Sequence, residues 1–124
     1  FTAFLRTGRG DAVVDNLGAG GMAAHIDIET GIVDTLAIDE ESEEFLVHPV
    51  SGQVFPGTRI PRWEEAKALV LAAAREVPDM RYIGWDVAVT ENGVCLIEGN
   101  DRADICVRQF VDRRGWDDYL KAIL

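Results

Sequence analysis

The stretch that most constrains the fold runs from Gly84 to Asp101 and reads GWDVAVTENGVCLIEGND. Two apolar runs rich in strand-forming residues flank the tripeptide ENG at 91–93, which is a turn signal. We therefore predict an antiparallel β-hairpin whose outer end carries acid and amide side chains.

The register of this hairpin decides whether its polar side chains meet. If a two-residue loop at 92–93 closes the hairpin, Asp86 and Glu98 point to opposite faces, because side chains alternate along a strand. If 91–93 forms a three-residue loop, Asp86 lies directly opposite Glu98. We predict the second register.

In the predicted register Thr90 pairs with Val94, and Gly93 adopts the left-handed conformation of a bulge. The apolar face, which is expected to pack into the core, then carries Trp85, Val87, Val89, Cys95, Ile97 and Gly99. The other face carries Asp86, Ala88, Thr90, Val94, Leu96, Glu98 and Asn100.

Two opposed carboxylates destabilise a strand pair, since cross-strand pair terms amount to about 0.2–1 kcal/mol. A divalent cation would offset that repulsion. Together with the amide oxygen of Asn100, Asp86 and Glu98 form a hard oxygen set that suits Mg²⁺. Ala88 and Leu96 are predicted to form an apolar floor for a flat ring beside it. An exposed hairpin with solvated acids is the alternative.

The chain has 124 residues, which suits one domain with a buried core, and 48% of them are apolar. With 22 acidic and 12 basic residues, its net charge is −10. Such a surface disfavours nucleic-acid and membrane-surface roles. No apolar run reaches the ~18 residues of a membrane-spanning helix and no signal peptide is evident, so we expect a soluble protein.

Cys95 and Cys106 are the only cysteines, and neither belongs to a metal-ligand spacing. Both are predicted to be reduced residues of the core in a cytoplasmic protein, rather than partners in a disulfide. The sequence begins in a strand-like run without an initiator methionine, so we expect it to be an excised or incomplete piece of a longer protein.

The remaining elements alternate strands with helices. A strand is predicted over Phe1–Thr7, and hairpins over 22–38 and 45–55. Helical periodicity predicts helices over Arg62–Val77 and Trp116–Leu124, with a loop and a short helix between 101 and 114. This succession predicts an α+β fold in which a mainly antiparallel sheet is backed by helices.

Three further features of the sequence lie outside the hairpin. The glycines between Gly8 and Gly21 permit either close approach of the backbone to a ligand or a flexible connection. The acidic run at 39–44 is predicted to be a solvated loop. His25 and His48 have no partner at a recognisable catalytic spacing, and structural or surface roles are predicted for both.

The pattern Asp86, Glu98 and Asn100, D-x₁₁-E-x-N, resembles the metal-binding strand pair at the C-terminal end of the ATP-grasp ligases. Further blocks follow in order over nearly the whole chain: RTGRGDAVVDNLGAGGMAAHIDIETG, HPVSGQ, IPRWEEA and RYIGWDVAVTENGVCLIEGND. Together they look like the sugar-transfer-associated ATP-grasp family, which is related to α-L-glutamate ligases.

The resemblance implies roles for the hairpin residues. Asp86, Glu98 and Asn100 would be Mg²⁺ ligands, and Asn100 would also neighbour the ATP phosphates. Leu96 matches the apolar position under the adenine.

The resemblance also implies roles near the N-terminus. Arg6 and Arg9 lie where ATP-grasp enzymes have an arginine near the γ-phosphate or acyl-phosphate. The loop with Asn16, Gly20 and Gly21 is similar to a loop that holds the acceptor substrate.

The family chemistry is ADP-forming: ATP phosphorylates a carboxylate to an acyl-phosphate, which an amine attacks, and no side-chain nucleophile is needed. The only lysines, Lys67 and Lys121, fall in predicted helices. The resemblance implies that the phosphate-binding lysines lie in an N-terminal half that precedes this sequence. This chain would be the C-terminal, metal-binding half, inactive alone and able to self-associate. A non-catalytic folded fragment or degenerate ATP-grasp binding module is the alternative.

Overall fold

A computed structural model describes residues 2–10 and 17–123, and contacts between Cα atoms divide the chain into two compact units. The first unit comprises residues 1–60 and 107–114, and the second comprises residues 61–106 and 115–124. Both consist of antiparallel strands and helices, which confirms the predicted α+β fold class. The assignment of the chain to the C-terminal half of a larger domain stays a prediction.

The described part of the first unit is built on a five-stranded antiparallel sheet in the order β1-β2-β4-β5, with β3 also paired to β2. Strand β2 is its centre, and Met22, Ala23 and Ala24 in it are fully buried. The strands are β1 (Ala3–Thr7), β2 (Met22–Asp27), β3 (Ile32–Val33), β4 (Ala37–Ile38) and β5 (Glu44–Phe45).

The strand predicted to return from the 29–31 turn is interrupted between β3 and β4. Polar side chains bond to β2 at this break, where Asp34 bonds the His25 ring over 2.6 Å. The Thr35 hydroxyl also accepts the His25 main-chain N–H at 2.9 Å. The turn itself forms as predicted, with Gly31 at a φ of 69° that favours glycine.

The second unit contains helix α1 (Trp63–Arg75), which packs against a two-stranded hairpin of β6 (Gly84–Thr90) and β7 (Gly93–Asn100). The buried or half-buried positions of α1 recur at helical spacing as predicted, and Pro78 follows its end. The remaining helices are a short 3₁₀ helix (Leu17–Ala19), α2 (Cys106–Asp112) and α3 (Asp117–Ile123). No helix in the described ranges is long and apolar enough to cross a membrane.

The β6–β7 hairpin closes in a register that was not predicted. Thr90 pairs with Gly93, so the loop is shorter than the predicted one at 91–93. The pairing then shifts by one residue between Asp86 and Val87, which leaves Ile97 as an extra residue of β7. The predicted bulge at Gly93 is therefore wrong, whereas the predicted pairing of Asp86 with Glu98 is confirmed.

The bulge changes which side chains share a face. On the turn side of Ile97, Ala88 lies opposite Cys95 and Val87 lies opposite Leu96. Cys95 and Leu96 consequently exchange the faces predicted for them. Cys95 is exposed, as is Cys106, and both are free thiols, so the prediction of core positions is wrong for both.

Trp85 and Gly99 form a tight cross-strand pair at the outer end of the hairpin. They lie directly opposite each other, and a methyl group on Gly99 would lie 2.5 Å from the Trp85 indole. We predict that Gly99→Ala lowers the free energy of unfolding of the chain by about 1–3 kcal/mol, because the indole must leave its position. Urea unfolding followed by circular dichroism measures this change.

Gly115→Ala is the matched control for this substitution. Nothing lies within 4 Å of the position of its added methyl group, so its stability is expected to remain within about 0.5 kcal/mol of the parent. Equal stabilities for the two variants would contradict the packing of Trp85 on Gly99.

Candidate functional site

The acid and amide side chains of the hairpin converge at its outer end. Asp86 lies directly opposite Glu98, and Asn100, two residues further along β7, lies opposite Gly84. The Asn100 side-chain Nδ2 donates a hydrogen bond to Glu98 Oε1 over 3.0 Å. Asp86 is half-buried, and Glu98 and Asn100 are exposed. The three predicted metal ligands therefore share one face.

The β-bulge at Ile97 is the local cause of this convergence. If the register of the turn-side pairs continued outward, Asp86 would lie opposite Ile97 and Glu98 would point to the other face. The extra residue restores the pairing of the two acids. β-bulges commonly redirect a side chain in this way beside functional sites.

The donor set suits a hard divalent cation. An ionised carboxylate only accepts hydrogen bonds, so the Asn100 amide must present its NH₂ group to Glu98. Its carbonyl oxygen is then available as a third oxygen donor alongside the two carboxylates. Mg²⁺ prefers such oxygens and completes its shell with water and phosphate. The residues present thus fit Mg²⁺ chemically.

The chain beyond β7 covers part of this face. A methyl group on Gly84 would collide with the Cβ atom of Ala103, so only glycine fits at that point of β6. Leu96 lies on the other face with Val87, whereas Ala88 shares the face of Asp86. The predicted apolar floor of Ala88 and Leu96 is therefore wrong. A role of Leu96 under an adenine stays a prediction.

A second group of site candidates lies in the first unit around Arg9. Its Nε donates to the Gly20 carbonyl oxygen over 3.2 Å, and its Nη2 lies 2.6 Å from Asp39 Oδ2. The guanidinium also stacks 4.8 Å from the centre of the Phe45 ring. The fold thus brings together Arg9 and Gly20, which are far apart in the predicted loop.

Asp39 is the residue of this group that the sequence did not reveal. It belongs to the acidic run predicted to be solvated, yet only 1% of its surface is exposed. Its Oδ1 accepts the main-chain N–H groups of Glu41 and Glu43 at 3.0 and 2.9 Å. The available signal was its position directly after the apolar residues of β4, which carry it into the core.

The environment of Asp39 keeps it ionised. Burial is the largest influence and by itself would raise the pKa, but the hydrogen bonds from Arg9, Glu43 and Glu41 outweigh it and lower the pKa below its usual value. Arg9 and Asp39 consequently form a partly buried ion pair that joins the end of β1 to the turn after β4.

The other predicted site residues of the first unit lie close by in the sheet. Arg6 lies on β1 opposite Ala23, and Gly21 is buried directly before β2. A shallow depression of about 330 Å³ is lined by Arg9, Gly20, Asp39, Glu40 and Glu41. Asn16 lies outside the described residues. Catalytic roles for Arg6 and Arg9, and a substrate-binding role for this loop, stay predictions.

The antiparallel α+β architecture, with an acid-bearing hairpin, is consistent with an ATP-grasp subdomain. The family model described as sugar-transfer associated ATP-grasp matches residues 1–124, which is the whole chain. The chain therefore belongs to this family, a membership that implies ATP binding and ligase-type function. Searches of curated proteins and of solved structures returned no match.

We predict that Asp39→Asn destabilises the chain by about 1–3 kcal/mol at neutral pH, less than for a fully buried pair because 33% of the Arg9 side chain is exposed. A carboxylate with a lowered folded-state pKa stabilises above the unfolded pKa of ~3.9, and this contribution is lost as the pH falls through the folded pKa. The difference between parent and variant should therefore shrink in acid. Urea unfolding between pH 3 and 7 measures it.

Glu40→Gln, an exposed neighbour in the same turn, provides the control and should follow the parent. A constant stability difference between the Asp39→Asn variant and the parent over this pH range would show that Asp39 is not held ionised by Arg9.

Proposed function

We propose that this chain is the metal-binding part of an ATP-dependent carboxylate–amine ligase that forms ADP through an acyl-phosphate. The observation that carries the proposal is the pairing of Asp86 with Glu98, with Asn100 hydrogen-bonded to Glu98. Family membership over the whole chain supports the same reading. The reactants would be a small-molecule carboxylate and a small-molecule amine.

In this proposal, Asp86, Glu98 and Asn100 would hold Mg²⁺. The ion would supply positive charge to the ATP phosphates during phosphoryl transfer. The Asn100 amide would keep Glu98 oriented through its hydrogen bond and offer its own carbonyl oxygen to the cation. Leu96 is proposed to contact the adenine.

Arg6 and Arg9 are proposed to neutralise charge on the transferred phosphoryl group or the acyl-phosphate. The acceptor is proposed to bind against the loop that contains Asn16, Gly20 and Gly21. We also propose that an N-terminal half of the same protein supplies the lysines for the phosphates, that the protein is cytoplasmic, and that this chain self-associates when alone.

A second candidate is a non-catalytic ATP-grasp module that binds a partner. The contacts of Arg9 favour it, because its guanidinium already bonds the Gly20 carbonyl and the buried Asp39. An arginine engaged in this way holds the chain together and has fewer donors left for a phosphate. The two candidates differ in whether the hairpin binds a divalent cation.

Mn²⁺ replaces Mg²⁺ at oxygen sites and broadens nearby NMR signals, so it tests the hairpin directly. We predict that Mn²⁺ added to the chain broadens the amide signals of residues near Asp86 and Glu98 first. Asp86→Asn and Glu98→Gln should each weaken Mn²⁺ binding about tenfold or more, because each removes a charged ligand. Titration followed by ¹H–¹⁵N spectra measures both effects.

Glu91→Gln is the matched control, since Glu91 is an exposed acid of the same hairpin at its opposite end. This variant should bind Mn²⁺ as the parent does. Broadening that spreads evenly over the acidic surface, or that survives Glu98→Gln, would remove the metal site and favour the binding module.

A further inference from the structure

His48 uses both of its ring nitrogens. Nδ1 lies 3.2 Å from the main-chain nitrogen of Val50 and 3.1 Å from that of Ser51. Nε2 lies 2.9 Å from the carbonyl oxygen of Gly8 and 3.4 Å from the hydroxyl oxygen of Thr7, which can accept from the same N–H. The side chain is half-buried, and its contact with Gly8 is partly shielded from water, whereas the contacts with the turn amides are exposed.

The chemistry of these partners fixes the tautomer of the ring. Main-chain amides can only donate, so Nδ1 must be the unprotonated acceptor. The Gly8 carbonyl can only accept, so the proton lies on Nε2. A single neutral tautomer thus satisfies all four contacts, and the ring would lose at least one of them in any other protonation state.

His48 thereby joins two segments that are far apart in the chain. One is its own turn, where the His48 N–H donates to the Gln53 carbonyl over 2.8 Å and Val47 pairs with Val54. The other is the segment that follows β1. The ring of the buried Phe55 lies 6.0 Å from the imidazole and limits the space available to it.

The hydrogen bond from His48 to the Gly8 carbonyl lies next to Arg9 in the chain. Holding the Gly8 carbonyl fixes the orientation of the peptide group that joins these two residues, because that group is planar. The Arg9 side chain begins from this peptide and reaches Gly20 at 3.2 Å and Asp39 at 2.6 Å. A rotation of the peptide would displace the guanidinium from both.

We propose that His48 is a positioning residue: through the Gly8 carbonyl it sets the Arg9 guanidinium beside Gly20. Its relevance to ligation rests on the proposed function, which assigns Arg9 and Gly20 to the site. Nδ1 keeps the turn at 50–51 in the shape that directs the ring at Gly8. Hydrogen bonds of His48 therefore connect this turn to the segment around Gly8 that follows β1.

Two substitutions separate the contact of His48 with its own turn from its contact with Gly8. In His48→Asn, the side-chain oxygen takes the position of Nδ1 and can accept the turn amides, but nothing reaches Gly8. In His48→Gln, the side-chain NH₂ reaches the position of Nε2 and can donate to Gly8. A histidine that only shapes its own turn would be replaced better by asparagine, and a positioning residue better by glutamine.

The readout is hydrogen exchange of the Arg9 Nε–H, measured by NMR, because this group donates to Gly20. We expect His48→Asn to accelerate this exchange up to about tenfold, which is the effect of losing one net hydrogen bond. His48→Gln should retain the parental rate within about threefold. His25→Gln, at a half-buried histidine of the same unit that bonds Asp34, is the control and should leave the rate unchanged.

Parental exchange in His48→Asn, or faster exchange in His48→Gln than in His48→Asn, would overturn the proposal. So would a long-range ¹H–¹⁵N spectrum of the parent chain in which the proton of His48 lies on Nδ1. Mn²⁺ binding at the β6–β7 hairpin is a separate readout. If Mn²⁺ does not bind at the hairpin while the His48 variants exchange as expected, the ligase proposal is refuted and the positioning role of His48 stands.

Discussion

The candidate site depends on the alternation of side chains along β-strands, and on the one residue that breaks it. In a regular hairpin closed at Thr90 and Gly93, Asp86 would meet Ile97 and the two acids would point apart. The bulge at Ile97 shifts the outer pairs by one residue, so that Asp86 meets Glu98. Closure at Thr90 and Gly93 places Cys95 opposite Ala88, where it is exposed, and Leu96 opposite Val87.

The first unit is organised by polar contacts around the segment that follows β1. Asp39 is buried after β4 and holds Arg9, and Arg9 in turn holds the Gly20 carbonyl. His48 holds the neighbouring Gly8 carbonyl. Glycines give a backbone conformational freedom, and these contacts restrict it at Gly8 and Gly20. The reading of the glycine segment as a flexible connection therefore does not describe its ends.

A ligase of this family and a binding module would share this fold, so the site has to decide between them. The acid-bearing face of the hairpin favours a cation and, with family membership, the ligase. The contacts of Arg9 are structural in kind and favour the binding module, because they leave fewer donors for a phosphate. Cation binding by the hairpin is for that reason the property that separates the two functions.

The sequence by itself predicted the fold class, a helix over Arg62–Val77 that forms over Trp63–Arg75, and the pairing of Asp86 with Glu98, because hydrophobic periodicity and the turn signal at 91–93 are local properties. It did not determine the position of the bulge, since a loop bulge and a strand bulge at Ile97 give the same outer register.

Only the tertiary structure decided the burial of Asp39 and the tautomer of His48. Their partners, Arg9 and Gly8, lie 30 and 40 residues away in the chain. A local pattern therefore marks an acid or an imidazole, whereas its role depends on which distant donor or acceptor the sheet brings beside it.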